Sequence, residues 1–311
     1  MKVLLAGANS YIGTRLIPVL IEKGHEVVCL VRDKGHFYKN NPYSRVVSII
    51  GGDLLRRQNI EPLPVDIDAA YYLVNTLTQT SEFAALGALS AQNLMEALEQ
   101  TNCRHIITLR DINDNGRGGI MARKQVESIL GKGKPKLTVL NATMIIGQGS
   151  TALQMFNTLT SKTPILIPQN WIKTHLQPIS AIDVLTYLEA CLLNEKTYGK
   201  KFDIGGPEVL LFKQMLLMYI AIYKNFKPSI VILPFLTAQL SSHLLNTLAP
   251  VSYPEAQSVI ETLKHNTICV DNSIKNVIPM QCLPFKQALR DAKVPTDNNV
   301  WTQNIHSFNN N

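Results

Sequence analysis

At 311 residues, with 46% hydrophobic and 17% charged side chains, the chain is long enough for one large domain, or for a large domain carrying a smaller lobe. It is too apolar to be a disordered polymer. Its formal charge of +7 comes from scattered lysines and arginines without a nucleic-acid module motif, so a solvated surface excess is expected and nucleic acid is not.

Lys2 to Ala6 is an apolar run closed by Gly7, the pattern of a buried parallel strand. From Tyr11 the spacing turns helical, with Ile12, Leu16, Val19 and Leu20 on one face and Gly24 as the stop. Glu26 to Val31 predicts a second buried strand, completing a strand–helix–strand unit of about 30 residues. Further strands are predicted at Val46–Ile50, Ala69–Val74, His105–Leu109 and Leu137–Ala142, and helices at Ser81–Gln100 and Ile120–Leu130. This alternation predicts an α/β fold, a doubly wound parallel sheet of Rossmann type, over residues 1–150. After Gly149 prolines shorten the elements, and helices are expected at Ile182–Leu193, Phe212–Tyr223, Phe235–Leu248 and Pro254–Lys264. Residues 151–303 are expected to form a smaller lobe, partly intertwined with the first domain, and residues 304–311 a loose tail.

The stretch from Phe235 to Val251 is interrupted by Gln239, Ser241, Ser242, His243 and Asn246, which predicts an amphipathic helix and no membrane span. No cleavable leader is read at Met1. Cys29, Cys103, Cys191, Cys269 and Cys282 show no C-x-x-C pair and no zinc spacing, so reduced thiols, no metal and a cytoplasmic location are expected.

The chemistry-bearing motif is the first turn, Gly7-Ala8-Asn9-Ser10-Tyr11-Ile12-Gly13. Gly7 permits a tight turn after the strand and Gly13 permits close helix–strand packing. The helix N-terminus offers N–H groups and a positive dipole end to a pyrophosphate. A bare glycine pattern is weak evidence, but here it stands between a buried strand and an amphipathic helix, the context a dinucleotide site requires. Arg32 follows the second strand, where an arginine can pair with the 2′-phosphate of NADP(H). An exposed loop charge explains it equally well.

Gly7 to Gly13 resembles the G-x-x-G-x-x-G turn of the atypical short-chain dehydrogenase/reductases, NmrA-like proteins that bind NAD(P). Gly52-Asp53-Leu54 resembles the family's adenine-contacting segment, and Tyr71 to Asn75 its fourth strand beside the cofactor. Trp171 to Ile179 followed by Asp183-Val184, and Phe202 to Glu208, resemble later family segments. The resemblance implies a cofactor site of Gly7, Asn9, Ser10, Tyr11, Ile12, Gly13, Arg32, Asp53, Leu54, Asn75, Thr108 and Arg123. It also implies a pocket for a small molecule near Trp171, His175 and Gln177. NADP(H) is the expected cofactor, with NAD(H) possible.

Two departures shape the functional expectation. Ser10 stands where the family has its middle glycine, and its side chain either crowds the phosphates or bonds to them. The family's Tyr-x-x-x-Lys pair, a tyrosine acid tuned by a lysine ammonium, falls on Gly119 and Arg123. Glycine has no proton to transfer, and Arg123 can hold a ribose or phosphate oxygen but cannot tune a missing tyrosine. Thr108 is the hydroxyl near the usual serine position, and a core-edge role suits it better. The histidines, His105 among them, read as surface or core-edge residues, and none has triad or ligand spacing. The expectation is an NAD(P)-binding protein with weak or no catalysis, engaged in cofactor sensing or redox regulation. The alternatives are an oxidoreductase or epimerase-like enzyme with a non-standard proton donor, and a cofactor-free scaffold.

Overall fold

The computed structural model describes residues 1–74, 81–112, 117–161, 164–224, 229–233, 263 and 265–293. The expected helices at Phe235–Leu248 and Pro254–Lys264 (save Leu263) and the tail lie outside them. In chain order the first half runs β1 (Lys2–Ala6), α1 (Tyr11–Glu22), β2 (Glu26–Val31), α2 (Lys34–Asn40), β3 (Ser48–Gly51), β4 (Ala69–Tyr72), α3 (Ser81–Leu98), β5 (His105–Asp111), α4 (Arg117–Leu130) and β6 (Lys136–Ala142). The second half adds β7 (Ile145–Ile146), α5 (Thr151–Leu159), β8 (Ile165–Pro168), α6 (Gln169–Ile172), β9 (His175–Leu176), β10 (Ile179–Ser180) and α7 (Ala181–Cys191). It continues with β11 (Lys201–Ile204), β12 (Leu210–Leu211), α8 (Phe212–Tyr223), β13 (Ile230–Leu233), α9 (Ile274–Val277) and α10 (Phe285–Asp291).

The main sheet is parallel, with strand order β11-β6-β5-β4-β1-β2-β3. Alternate residues of each strand feed opposite layers, which follows from the two-residue period of a strand. Val3, Leu5, Cys29, Tyr71 and Ile107 pack with Ile12, Leu16, Ile182 and Leu188 of α1 and α7. Leu4, Ala6, Leu30, Tyr72 and Ile106 pack with Ala91, Leu94 and Leu130 of α3 and α4 on the other face. The order reverses direction at β1–β4, so a crevice opens at the carboxyl ends of these strands, where such sheets bind ligands.

A separate core joins α5, β8, α6, α8 and α10 around Phe156, Trp171, Phe212 and Phe285. This lobe is built from residues beyond 150, yet β11 pairs with β6 and α7 packs on α1, so the later half of the chain also completes the sheet. The sequence pattern does not predict β11 by itself, since Lys201 and Asp203 break its apolar run. Among the described residues, no helix is long and apolar enough to cross a membrane.

Candidate functional site

The first turn sits at the carboxyl end of β1. Gly7 has φ +96°, and a Cβ there would stand 2.5 Å from the Leu73 carbonyl oxygen. A Cβ on Gly13 would stand 2.2 Å from the Gly7 carbonyl oxygen. Both glycines are therefore required by backbone packing, before any ligand is considered. Ser10 has φ −71° and ψ 162°, an extended geometry open to any residue. Its hydroxyl caps α1, accepting from the Gly13 N–H at 3.0 Å. The N–H groups of Tyr11 and Ile12 open the helix, where helix geometry supplies no intrahelical acceptor and the dipole is positive. This turn, without a Cβ at either end and with a helix N-terminus behind it, fits a dinucleotide pyrophosphate.

Not every side chain of the turn faces that position. Asn9 is exposed, and Ile12 is buried in the core beneath. The Tyr11 ring lies under the Arg15 guanidinium, 3.8 Å from its centroid. Arg15 donates to the carbonyls of Tyr11 at 2.9 Å and Gln148 at 2.7 Å. Gly147 leaves room for the phenol, since a Cβ there would be 2.4 Å from its oxygen. Burial pushes this phenol up to about 12. Tyr11 thus brings its backbone to the turn and its ring to the seam with the loop after β7.

Arg32 is exposed at the carboxyl end of β2. Its neighbours are engaged elsewhere: Asp33 caps α2 through the His36 N–H at 2.9 Å, and Lys34 pairs with Glu61 at 2.6 Å. Asp53 accepts from the Leu55 N–H at 3.0 Å, a local turn that holds the loop after β3. The buried Leu54 carbonyl accepts from Asn93 of α3 at 2.7 Å. Asn93 and Ser90, which accepts from the Tyr72 hydroxyl at 3.1 Å, were not singled out from the sequence. Their signal was there: two small polar residues, three apart, on the buried stripe of an Ala/Leu-rich helix.

Thr108 is buried and donates to the Tyr72 carbonyl at 2.9 Å, tying β5 to β4. Asn75 lies outside the described residues. Arg123, half-buried on α4, lies near Arg110 and Asp111 of β5; burial and then Arg110 push its guanidinium down to about 10, while Asp111 works the other way. His105, expected at the surface or core edge, is instead fully buried. Its imidazole is held between the Leu193 N–H at 3.1 Å and the Thr138 hydroxyl at 2.8 Å.

Trp171, His175 and Gln177, the residues expected around a small-molecule pocket, stand in different surroundings. Trp171 is buried in the second lobe, edge-on to Phe212 with centroids 6.3 Å apart. Gln177 is buried, its Nε2 donating to the Gly206 carbonyl at 2.8 Å and its Oε1 accepting from the Cys269 N–H at 2.9 Å. With both ends of the amide bonded, it crosslinks separate stretches of chain. His175 is exposed on β9. The structure thus brings the turn, Arg32 and the Asp53 loop to one sheet edge, and leaves Trp171 inside the lobe and Gln177 buried against Gly206 and Cys269.

Residues 7–134 match the NAD(P)H-binding family. No curated protein sequence matches the chain. Solved structures match nearly its whole length at low identity. A nucleoside-diphosphate-sugar epimerase from Staphylococcus aureus is 14% identical, over 93% of this chain and 100% of that one, with a TM-score of 0.70. The terminal R domain of the myxalamid PKS-NRPS pathway is 15% identical over 94% and 88%, at 0.71. UDP-glucose 4-epimerase from Thermotoga maritima is 12% identical over 94% and 97%, at 0.67. Residues 7–134 are thus similar to the NAD(P)H-binding family, and the whole chain has the Rossmann-type fold of these structures, consistent with the atypical short-chain dehydrogenase/reductases that its motifs resemble.

Proposed function

We propose that this chain binds NADP(H) in preference to NAD(H), with little or no turnover of its own, and serves in cofactor sensing or redox regulation in the cytoplasm. The observation that carries the reading is the turn from Gly7 to Gly13, Cβ-free at both ends and aimed by α1. The Tyr11 and Ile12 N–H groups hold the pyrophosphate, with Asn9 and Ser10 beside it. Arg32 meets the 2′-phosphate and Asp53 and Leu54 the adenine; by the family resemblance Asn75 lies beside the cofactor and Arg123 holds a ribose or phosphate oxygen. A bound dinucleotide supplies hydride chemistry, and the protein must position it and exclude water. Gly119 at the tyrosine position supports weak turnover, because nothing there can donate a proton. The likeness to epimerases favours a second reading, hydride transfer with a different proton source.

The test is a fluorescence titration of the full chain with NADPH and with NADH, repeated in Arg32→Ala. Saturable binding is expected, with NADPH favoured about tenfold and the preference lost in the variant. No saturable binding would remove the cofactor reading, and equal affinities unchanged by the substitution would remove the preference. Steady oxidation of NADPH with carbonyls, quinones or sugar nucleotides would replace weak turnover by the second reading.

A further inference from the structure

The strand order sets where the outer half of a dinucleotide would lie. The pyrophosphate turn follows β1, Arg32 follows β2 beside it, and β3 is the next strand of the sheet. A nucleotide that runs from the turn past Arg32 therefore brings its base to the loop after β3, Gly52 to Arg56. This loop is closed on itself. Asp53 Oδ1 accepts from the Leu55 N–H at 3.0 Å, and the Asp53 carbonyl accepts from the Arg56 N–H at 2.8 Å. Such bonds fix the shape of a turn but not its direction relative to the sheet.

Anchors outside the turn fix that direction. On the strand side, the Gly52 N–H donates to the Val31 carbonyl of β2 at 2.9 Å. A Cβ on Gly52 would stand 2.9 Å from Leu30 Cδ1 and 3.0 Å from Ile60 Cα, so the loop sits directly on the core. On the helix side, Asn93 of α3 donates through Nδ2 to the Leu54 carbonyl at 2.7 Å. Asn93 is 5% exposed, and Leu54 packs with Ile60 and Leu94 in the core beneath. Its neighbours on α3 do other work. Glu96 meets Arg57 at 3.7 Å, but both side chains are 42% exposed and a pair of that kind contributes little. Ser90 is engaged by the Tyr72 hydroxyl of β4 at 3.1 Å. Among the described residues, the buried amide is thus the polar contact through which α3 orients the turn. A polar side chain on the buried stripe of a helix costs desolvation that its hydrogen bond offsets. A leucine there would pack as well and leave the Leu54 carbonyl without its donor.

We propose that Asn93 is the positioning residue for adenine recognition: by holding the Leu54 carbonyl it aims the Asp53 carboxylate at the 6-amino group of the base. The proposal rests on the cofactor reading for the presence of the base and adds the residue that sets the selectivity for it. Asp53 Oδ1 is engaged within the turn, and the second oxygen of a carboxylate has acceptor capacity of its own. It favours adenine, which presents a donor at position 6, over hypoxanthine, which presents an oxygen that repels it. Without the amide the turn keeps its internal bonds and its Gly52 anchor, so the protein stays folded while the carboxylate loses its fixed bearing.

The test is fluorescence titration of the full chain with NADPH and with its hypoxanthine analogue, which differs at position 6 of the purine and keeps the nicotinamide that reports binding. In the wild type NADPH is expected to bind about tenfold tighter than the analogue. In Asn93→Leu the two affinities should come within about twofold of each other. An asparagine that only supports the fold would weaken both ligands by the same factor and keep their ratio, which overturns the proposal. A wild type that binds the two equally overturns it as well. Thermal melts verify folding. If the leucine variant is unfolded, Asn93→Ser decides by the same ratio, since its hydroxyl is too short to reach the carbonyl and leaves room for water. Absence of NADPH binding to the wild type is a different result: the cofactor reading fails, and the proposal falls with it.

Discussion

Ser10 is the residue on which the cofactor reading turns. Its φ of −71° shows why the middle glycine of the motif is replaceable: nothing in the local backbone requires a missing Cβ. The replacement changes hydrogen bonding instead, because the hydroxyl occupies the Gly13 N–H. Ser10→Gly frees that donor for the pyrophosphate and removes the Cβ at once. NADPH binding should tighten by about 1 kcal/mol, one hydrogen bond's net contribution, while the melt falls slightly for the lost cap. Ser10→Ala separates the causes. It frees the N–H but keeps the Cβ, so a gain equal to that of glycine assigns the effect to the hydroxyl, and no gain assigns it to crowding. Unchanged affinity in both variants would mean that Ser10 is not at the cofactor. The cysteines show the opposite case, residues that packing has retired from chemistry. Burial raises Cys29, Cys191 and Cys269 to about 12 and Cys103 and Cys282 to about 11, so few thiolates form at neutral pH.

His105 belongs to the scale of elements, because it joins β5 to the loop between α7 and β11. Its Nδ1 accepts from the Leu193 N–H, so Nε2 carries the proton and donates to Thr138, which donates in turn to the Thr197 carbonyl at 2.8 Å. Leu193 has φ +51°, a left-handed conformation unusual for leucine that this bond helps to hold. Burial lowers the imidazole from 6.5 to about 4. A base with a depressed folded pKa contributes full stability above the unfolded value, and the contribution fades as pH falls from about 6.5 to about 4. Across that window the loss is about 3 kcal/mol. Asp183 acts in the opposite sense. Burial raises it to about 7, although the Leu283 N–H donates to it at 2.9 Å, so its cost is relieved as pH falls. The informative quantity is therefore the difference between wild type and His105→Gln in urea unfolding from pH 7.5 to pH 4. The variant should be less stable at pH 7.5, with the gap narrowing by about 3 kcal/mol toward pH 4. A gap independent of pH would show that His105 is not buried in its neutral form.

At the scale of the whole molecule, a few side chains hold distant stretches of chain together. Gln177 links the segment before β10 to Gly206 after β11 and to Cys269, and its own N–H donates to the Thr267 carbonyl at 2.8 Å. Gln177→Ala strands a buried carbonyl and a buried N–H. Unfolding stability should drop by about 3 kcal/mol in denaturant titration, and a loss under about 0.5 kcal/mol, the range of an ordinary surface change, would refute the crosslink. By itself the sequence determined the strand–helix alternation of the first half, the Gly7 to Gly13 turn and the position of Arg32. These depend on short-range periodicity and on glycines whose reasons lie within a few residues. It also showed the absence of a tyrosine at position 119, since residue identity needs no structure. Only the tertiary structure decided that β11 completes the sheet, that Tyr11 turns toward Gly147, that Trp171 serves the lobe's interior, that Gln177 ties distant stretches of chain, and that Arg110 and Arg123 come near one another. Each of these depends on a partner far away in the chain, and the local pattern of polar and apolar residues carries no record of which distant groups will meet.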